Sequence, residues 1–247
     1  MRLKLHISPC PNDTFMFDAL VNGRIDTGSL RFEVEYHDIE ELNRGAGLGR
    51  ADISKISCAV LPAIAEHYAL LDSGAALGRG NGPLLVRRAG DTRPIRRVAV
   101  PGPHTTANAL MGKLFSRIAA AVERGDFDAG VLIHEGRFVY RERELELVAD
   151  LGQLWEHRTA LPLPLGGIAA RRSLPDEVRH EAERLLRTSI EYAFTHPEAS
   201  RTYIKQHAQE LDDKVIDAHI ALFVNGYSLS LGDEGRRAIE ALTGVIP

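Results

Sequence analysis

Short apolar runs with strand-like alternation recur between segments of helical spacing, and this pattern predicts an α/β chain with largely parallel strands. Leu3 to Ile7 reads as a strand, followed by a Pro/Asn/Asp turn, a helix over Thr14 to Val21 and a second strand over Leu30 to Tyr36. A helix is expected over Ile39 to Leu48, a short strand over Asp52 to Ile56, and an apolar helix over Ala59 to Leu71. From Pro175 onward the spacing is helical, over Glu177 to Thr195, Pro197 to His207 and Asp213 to Val224.

Two later runs resemble each other. Gly82 to Arg88 and Gly166 to Arg172 are each introduced by glycine and end in two arginines, and they read as paired connectors between lobes. Between them lies a self-contained series: a strand over Val98 to Val100, a helix from Thr105, a helix over Ile118 to Arg124, and strands over Ala129 to Ile133 and Leu145 to Val148. The expected organisation is a larger lobe from residues 1–87 and 167–247 and a smaller lobe from residues 88–166. The alternation also calls for a strand between Lys113 and Ile118, where the chain instead runs from one helix directly into the next.

Composition narrows the partners. With 30 basic and 34 acidic side chains mixed along the chain, there is no basic stripe for nucleic acid, and a small molecule is the expected partner. The two cysteines, Cys10 and Cys58, provide neither a disulfide framework nor paired zinc spacing. The first residues turn polar at Ser8-Pro9 without an apolar leader, and no run approaches the length of a membrane span, so a cytoplasmic protein is expected.

Candidate chemistry collects at three strand-to-helix junctions: Ser8 to Thr14, Ser54 to Ser57, and Pro101 to Thr106. Each offers small hydroxyls and the amides of a helix N-terminus, which together can hold an anion, and ligands of open α/β sheets bind beyond the carboxyl ends of the strands. Ordinary helix caps would carry the same residues. Asn12, Asp13, Lys55, Ile56, Ser57, Thr105 and Thr106 are therefore candidate ligand-binding residues. His134, directly after the apolar strand at Ile133, is the candidate general base, because an imidazole titrates near neutral pH and a strand end restricts water; a histidine capping a carbonyl would read the same. Gly78 to Gly82 lacks the Gly-Lys-Ser/Thr of a phosphate loop and reads as a lobe hinge. No metal site is expected at His104 or His134, which have no nearby partners in sequence, and no cofactor motif appears.

The string Ser8-Pro9-Cys10-Pro11-Asn12-Asp13-Thr14-Phe15-Met16-Phe17 resembles the N-terminal signature of the 1,4-dihydroxy-6-naphthoate synthases. Ser54 to Ser57, Ser73 to Leu84, Pro101-Gly102 with His104 to Thr106, Ile133 to Glu135 with Arg137-Phe138, and Leu161 to Gly167 look like that family in its order, so the resemblance spans nearly the whole chain. It implies a two-lobed fold of the type II periplasmic-binding-protein kind, with a ligand cleft between the lobes. The implied reaction is a cofactor-independent lyase step of the futalosine route to menaquinone, from cyclic dehypoxanthine futalosine to 1,4-dihydroxy-6-naphthoate. The residue matching His134 would accept the proton, and those matching Lys55 to Ser57, Thr105 and Thr106 would line the pocket. Gly136 departs from the serine common in the family, as does the absent strand after Lys113. Two alternatives stand beside this reading: chorismate dehydratase of the same pathway, and a solute-binding protein that holds a small carboxylate without turning it over.

Overall fold

A computed structural model of the chain describes residues 1–111, 122–133, 136–208 and 212–247. Its strands form two sheets. The first has the order β2-β1-β3-β10-β4, with β5 also on β10, and comprises β1 (Arg2–Ile7), β2 (Arg31–Tyr36), β3 (Ile53–Ser57), β4 (Tyr68–Leu70), β5 (Ala76–Gly78) and β10 (Leu163–Arg171). The second has the order β7-β8-β6-β9, from β6 (Leu84–Arg88), β7 (Val98–Ala99), β8 (Ala129–Leu132) and β9 (Leu145–Asp150).

Alternation in β1 explains its place. Leu3, Leu5 and Ile7 point into one core, which Phe32 and Val34 of β2 border, while Arg2 and Lys4 stay outside. In β3 every residue is buried, as expected for a strand with neighbours on both edges. Helix Pro11–Val21 is buried on nearly all sides, because the C-terminal helices Asp176–Thr195, Arg201–His207 and Asp213–Phe223 pack around it. Ser189 joins two of these helices: its hydroxyl donates to Met16 O at 2.7 Å and accepts from Leu20 N at 3.1 Å.

Several expectations change. The sheets are mixed rather than largely parallel: β1 runs parallel to β2 and β3, and β7 to β8, but β10 is antiparallel to β3, β4 and β5, and β6 to β8 and β9. Periodicity separates strand from helix but carries no information on pairing direction. The two glycine-led runs are not connectors, since β6 pairs wholly within the second sheet and β10 wholly within the first. The chain crosses instead just before β6 and β10, over residues 79–83 and 160–162. The expected helix over Ala59 to Leu71 is a 3-10 turn (Cys58–Val60), a one-turn helix (Leu61–Ile64) and then β4. Tyr68 is drawn into the sheet, where its hydroxyl donates to Ala51 O at 2.5 Å and Leu70 pairs with Ala169. Those partners lie far away in sequence and override local helix propensity.

Helix Leu151–Thr159 has no counterpart in the sequence reading, and Gly232–Thr243 falls in the stretch after Pro175 expected to be helical, beyond the three segments named there. The first is capped by Asp150, whose carboxylate accepts from Gly152 N at 2.9 Å and Gln153 N at 3.2 Å. The expected helix from Ile118 begins outside the described residues, as does the segment after Lys113 where the alternation calls for a strand. Among the described residues, no helix is long and apolar enough to cross a membrane.

Candidate active site

A cavity lies between the two sheets. Ser8, Asn12, Lys55, Ser57 and Gly166 line it from the first sheet and its loops, and Pro83, Thr105, Thr106, Ala107, Ile133 and Arg137 from the second. It encloses about 690 Å³, including its mouth open to solvent. The strand ends converge as expected for an α/β ligand site.

Behind the cavity wall sits Asp13, fully buried. Its Oδ1 accepts from Lys55 Nζ at 2.9 Å and Asn12 Nδ2 at 2.8 Å, and its Oδ2 from Ser8 Oγ at 2.6 Å and Ser8 N at 3.1 Å. A carboxylate has about four lone-pair positions, so Asp13 is saturated, and three cavity-lining side chains are oriented by one buried charge. Asn12 is held from its other side by His219, whose Nε2 lies 3.0 Å from Asn12 Oδ1.

A second anchor is Asn43 on helix Ile39–Gly47. Its side chain accepts from Ser57 N at 2.8 Å and donates to Ser57 Oγ at 3.0 Å and to His104 O at 3.1 Å. Asn43 thus joins β3 to the loop before helix Thr106–Met111, a join that Glu40 strengthens by accepting from His104 N at 3.1 Å and contacting His104 Nδ1.

The threonine pair is already engaged. Thr105 Oγ1 donates to Gly102 O at 2.9 Å and accepts from Asn108 N at 3.1 Å, as a helix cap. Thr106 Oγ1 donates to Leu165 O at 2.8 Å and accepts from Ala59 N at 3.3 Å. Each hydroxyl has a single proton, so either must turn from its carbonyl before it can donate to a ligand.

Arg137 brings the second cation. Its Nη1 donates to Gly82 O at 2.6 Å and its Nη2 to Gly80 O at 2.8 Å, and Asp150 Oδ2 lies 3.8 Å away. Burial pulls the guanidinium below its ordinary pKa, and the nearby Asp150 opposes that pull. Gly82 has to be glycine here, because a Cβ would stand 2.2 Å from Gly152 N.

Of the residues singled out from sequence, Asn12, Lys55, Ser57, Thr105 and Thr106 line the cavity, and Asp13 stands one layer behind them. Ile56 does not join them: its side chain is fully buried in the core with Cys58, Leu61 and Ala169, since alternate positions of β3 face opposite sides. His134 and Glu135 lie outside the described residues. Sequence reasoning overlooked Ser8, Asn81, Arg137 and Phe223 as cavity residues; Ser8 and Arg137 stood inside noted motifs, but nothing local marked Phe223. Burial pushes the Cys58 thiol up to about 12, which removes it as a nucleophile near neutral pH.

The profile of a family described as "Menaquinone biosynthesis" matches residues 3–246. A Thermus thermophilus protein named 1,4-dihydroxy-6-naphtoate synthase is 45% identical over 252 residues, covering 97% of this chain and 92% of the relative. A Streptomyces coelicolor protein of the same name is 44% identical over 257 residues, covering 97% and 91%. A crystal structure of an Archaeoglobus fulgidus protein superposes with a TM-score of 0.92 at 34% identity, covering 98% of this chain and 95% of that one. A Candida albicans protein with the generic periplasmic binding protein fold superposes with a TM-score of 0.70 at 12% identity, covering 100% and 92%, a likeness of fold alone. The fold is thus that of the periplasmic binding proteins, and with nearly its whole length matched, the chain belongs to the menaquinone-biosynthesis family.

Proposed function

We propose that the protein is a 1,4-dihydroxy-6-naphthoate synthase that takes cyclic dehypoxanthine futalosine as substrate and releases the naphthoate and a sugar-derived fragment. The observation that carries this reading is the pairing of full-length similarity to two enzymes of that name with a cavity bearing Lys55 and Arg137 among apolar walls. Two cations suit the carboxylate of such a substrate, and apolar surfaces suit the nascent aromatic ring.

In this proposal His134 removes a proton from the bound substrate, and the electron pair moves to expel the sugar carbons and leave an aromatic ring. Aromatisation supplies the driving force, so the protein positions the substrate, moves the proton and limits water. His134 falls between Ile133 and Arg137 in sequence, and both of these line the cavity. Lys55, Ser57, Asn12, Thr105 and Thr106 would contact substrate, with Asp13 holding the first of these from behind. Closure of the lobe built on the second sheet over the other would seal the cavity during turnover.

The test is conversion of cyclic dehypoxanthine futalosine by wild type, His134→Ala and His134→Asn, followed by chromatography of the product. Naphthoate from wild type, with a loss of about 10²-fold or more in both variants, supports enzyme and base together. Near-normal variants remove His134 from the mechanism, and a folded but inert wild type removes the reaction.

A further inference from the structure

We propose that His6, Glu35 and His37 form a binding site for one divalent transition-metal ion of the zinc type, at the carboxyl ends of β1 and β2 and outside the cavity. The three side chains each offer one ligand atom, and these atoms lie within 4.8 Å of one another. Glu35 Oε2 is 3.4 Å from His6 Nε2 and 3.2 Å from His37 Nε2. Tetrahedral coordination with metal–ligand bonds of about 2.0–2.2 Å sets neighbouring ligands about 3.3–3.6 Å apart, so two edges of the polyhedron already have nearly the right length.

The backbone makes this arrangement rigid. His6 and Glu35 are direct partners in the β1–β2 ladder, so their side chains rise from the same face, and His37 N donates to Ile7 O at 3.1 Å, which ties the third ligand to the end of β1. Behind His37, Glu41 Oε2 stands 3.6 Å from Nδ1, the nitrogen turned away from Glu35. A carboxylate on the far nitrogen is the usual outer partner of a metal-bound imidazole, fixing its tautomer and raising its basicity.

An independent observation comes from His6, only 6% exposed, whose Nε2 is buried and has no hydrogen-bond partner although it faces Glu35 Oε2. Leaving a buried polar atom unmatched forfeits its hydration without return, and an ion between the three donors would satisfy all of them. Two imidazoles and one carboxylate favour zinc, nickel or cobalt over calcium or magnesium, and the exposed side of Glu35 leaves a position for water. The three residues are spread across residues 6–37 and match no sequence motif.

The experiment uses untagged, chelator-stripped full-length protein titrated with Zn²⁺ against a chromophoric chelator at neutral pH, beside His37→Ala, Glu35→Gln and Glu41→Gln, with Co²⁺ absorption as a second readout. One equivalent of Zn²⁺ in wild type, with affinity about tenfold or more lower in the first two variants and reduced in the third, is expected. Both first variants replace partly exposed side chains, and unchanged metal-free melting shows that they fold. Absence of a stoichiometric Zn²⁺ equivalent in wild type, or wild-type affinity in both His37→Ala and Glu35→Gln, overturns the proposal.

Discussion

Lys55 Nζ donates to Asp13 Oδ1 across 2.9 Å, from side chains that are 7% and 0% exposed. The pair joins the central strand of the first sheet to the first turn of helix Pro11–Val21, at the edge of the cavity. Removing one partner of such a pair strands the other charge in the interior, which costs about 3–5 kcal/mol, whereas replacing both by apolar groups is often close to neutral. Asp13→Ala is therefore expected to lower stability by that amount in urea, and Asp13→Ala with Lys55→Met to recover much of it. Turnover stays low in both, because Ser8 and Asn12 lose their common acceptor.

Asn43 is 1% exposed and bonds to Ser57 and to the carbonyl of His104. Asn43→Ala leaves those buried groups unmatched, so a loss of about 1–3 kcal/mol is expected in chemical denaturation. A lower kcat/KM should accompany it, since Ser57 and the loop before Thr105 are no longer held together.

Arg137→Lys keeps the charge but cannot reproduce the fork that reaches Gly80 O and Gly82 O together. Steady-state kinetics should show kcat/KM reduced about tenfold or more, equivalent to about 1.4 kcal/mol of lost transition-state binding. A variant with wild-type kinetics would remove the guanidinium from substrate binding.

Cys58 gives a prediction in pH. Its thiol moves from an ordinary 9.0 to about 12 on folding, because burial disfavours the thiolate. The folded state therefore keeps a proton that the unfolded state loses, and the stability linked to it is complete below pH 9.0 and lost as pH rises toward about 12. Denaturation midpoints of Cys58→Ala and wild type, followed across that window, should differ in slope, with the variant less sensitive to alkali. At neutral pH an alkylating agent should reach Cys58 only in unfolded protein.

Much of the fold was legible along the chain because strands and helices repeat with different periods. Leu3, Leu5 and Ile7 announce a half-buried strand, and the apolar spacing of Glu177 to Thr195 announces the long C-terminal helix. The three junctions were legible for a similar reason: a strand followed by hydroxyl residues and a helix start is a local pattern. Tyr68–Leu70 was not, because its strand character depends on Ala169 and Ala170 in β10. Arg137 was visible as a residue but not as a ligand candidate, since the carbonyls that orient it belong to Gly80 and Gly82 on another segment.

Local pattern along the chain specified most of the elements, their order, and the residue types gathered near the strand ends, since each of these depends on neighbours within a few positions. Only the tertiary structure decided which strands pair and in what direction, that Ile56 faces the core while Lys55 and Ser57 face the cavity, and that Asp13 supports the wall instead of lining it. It also brought His6, Glu35 and His37 together. These outcomes depend on contacts between residues far apart in the chain, and a local pattern carries no record of such partners.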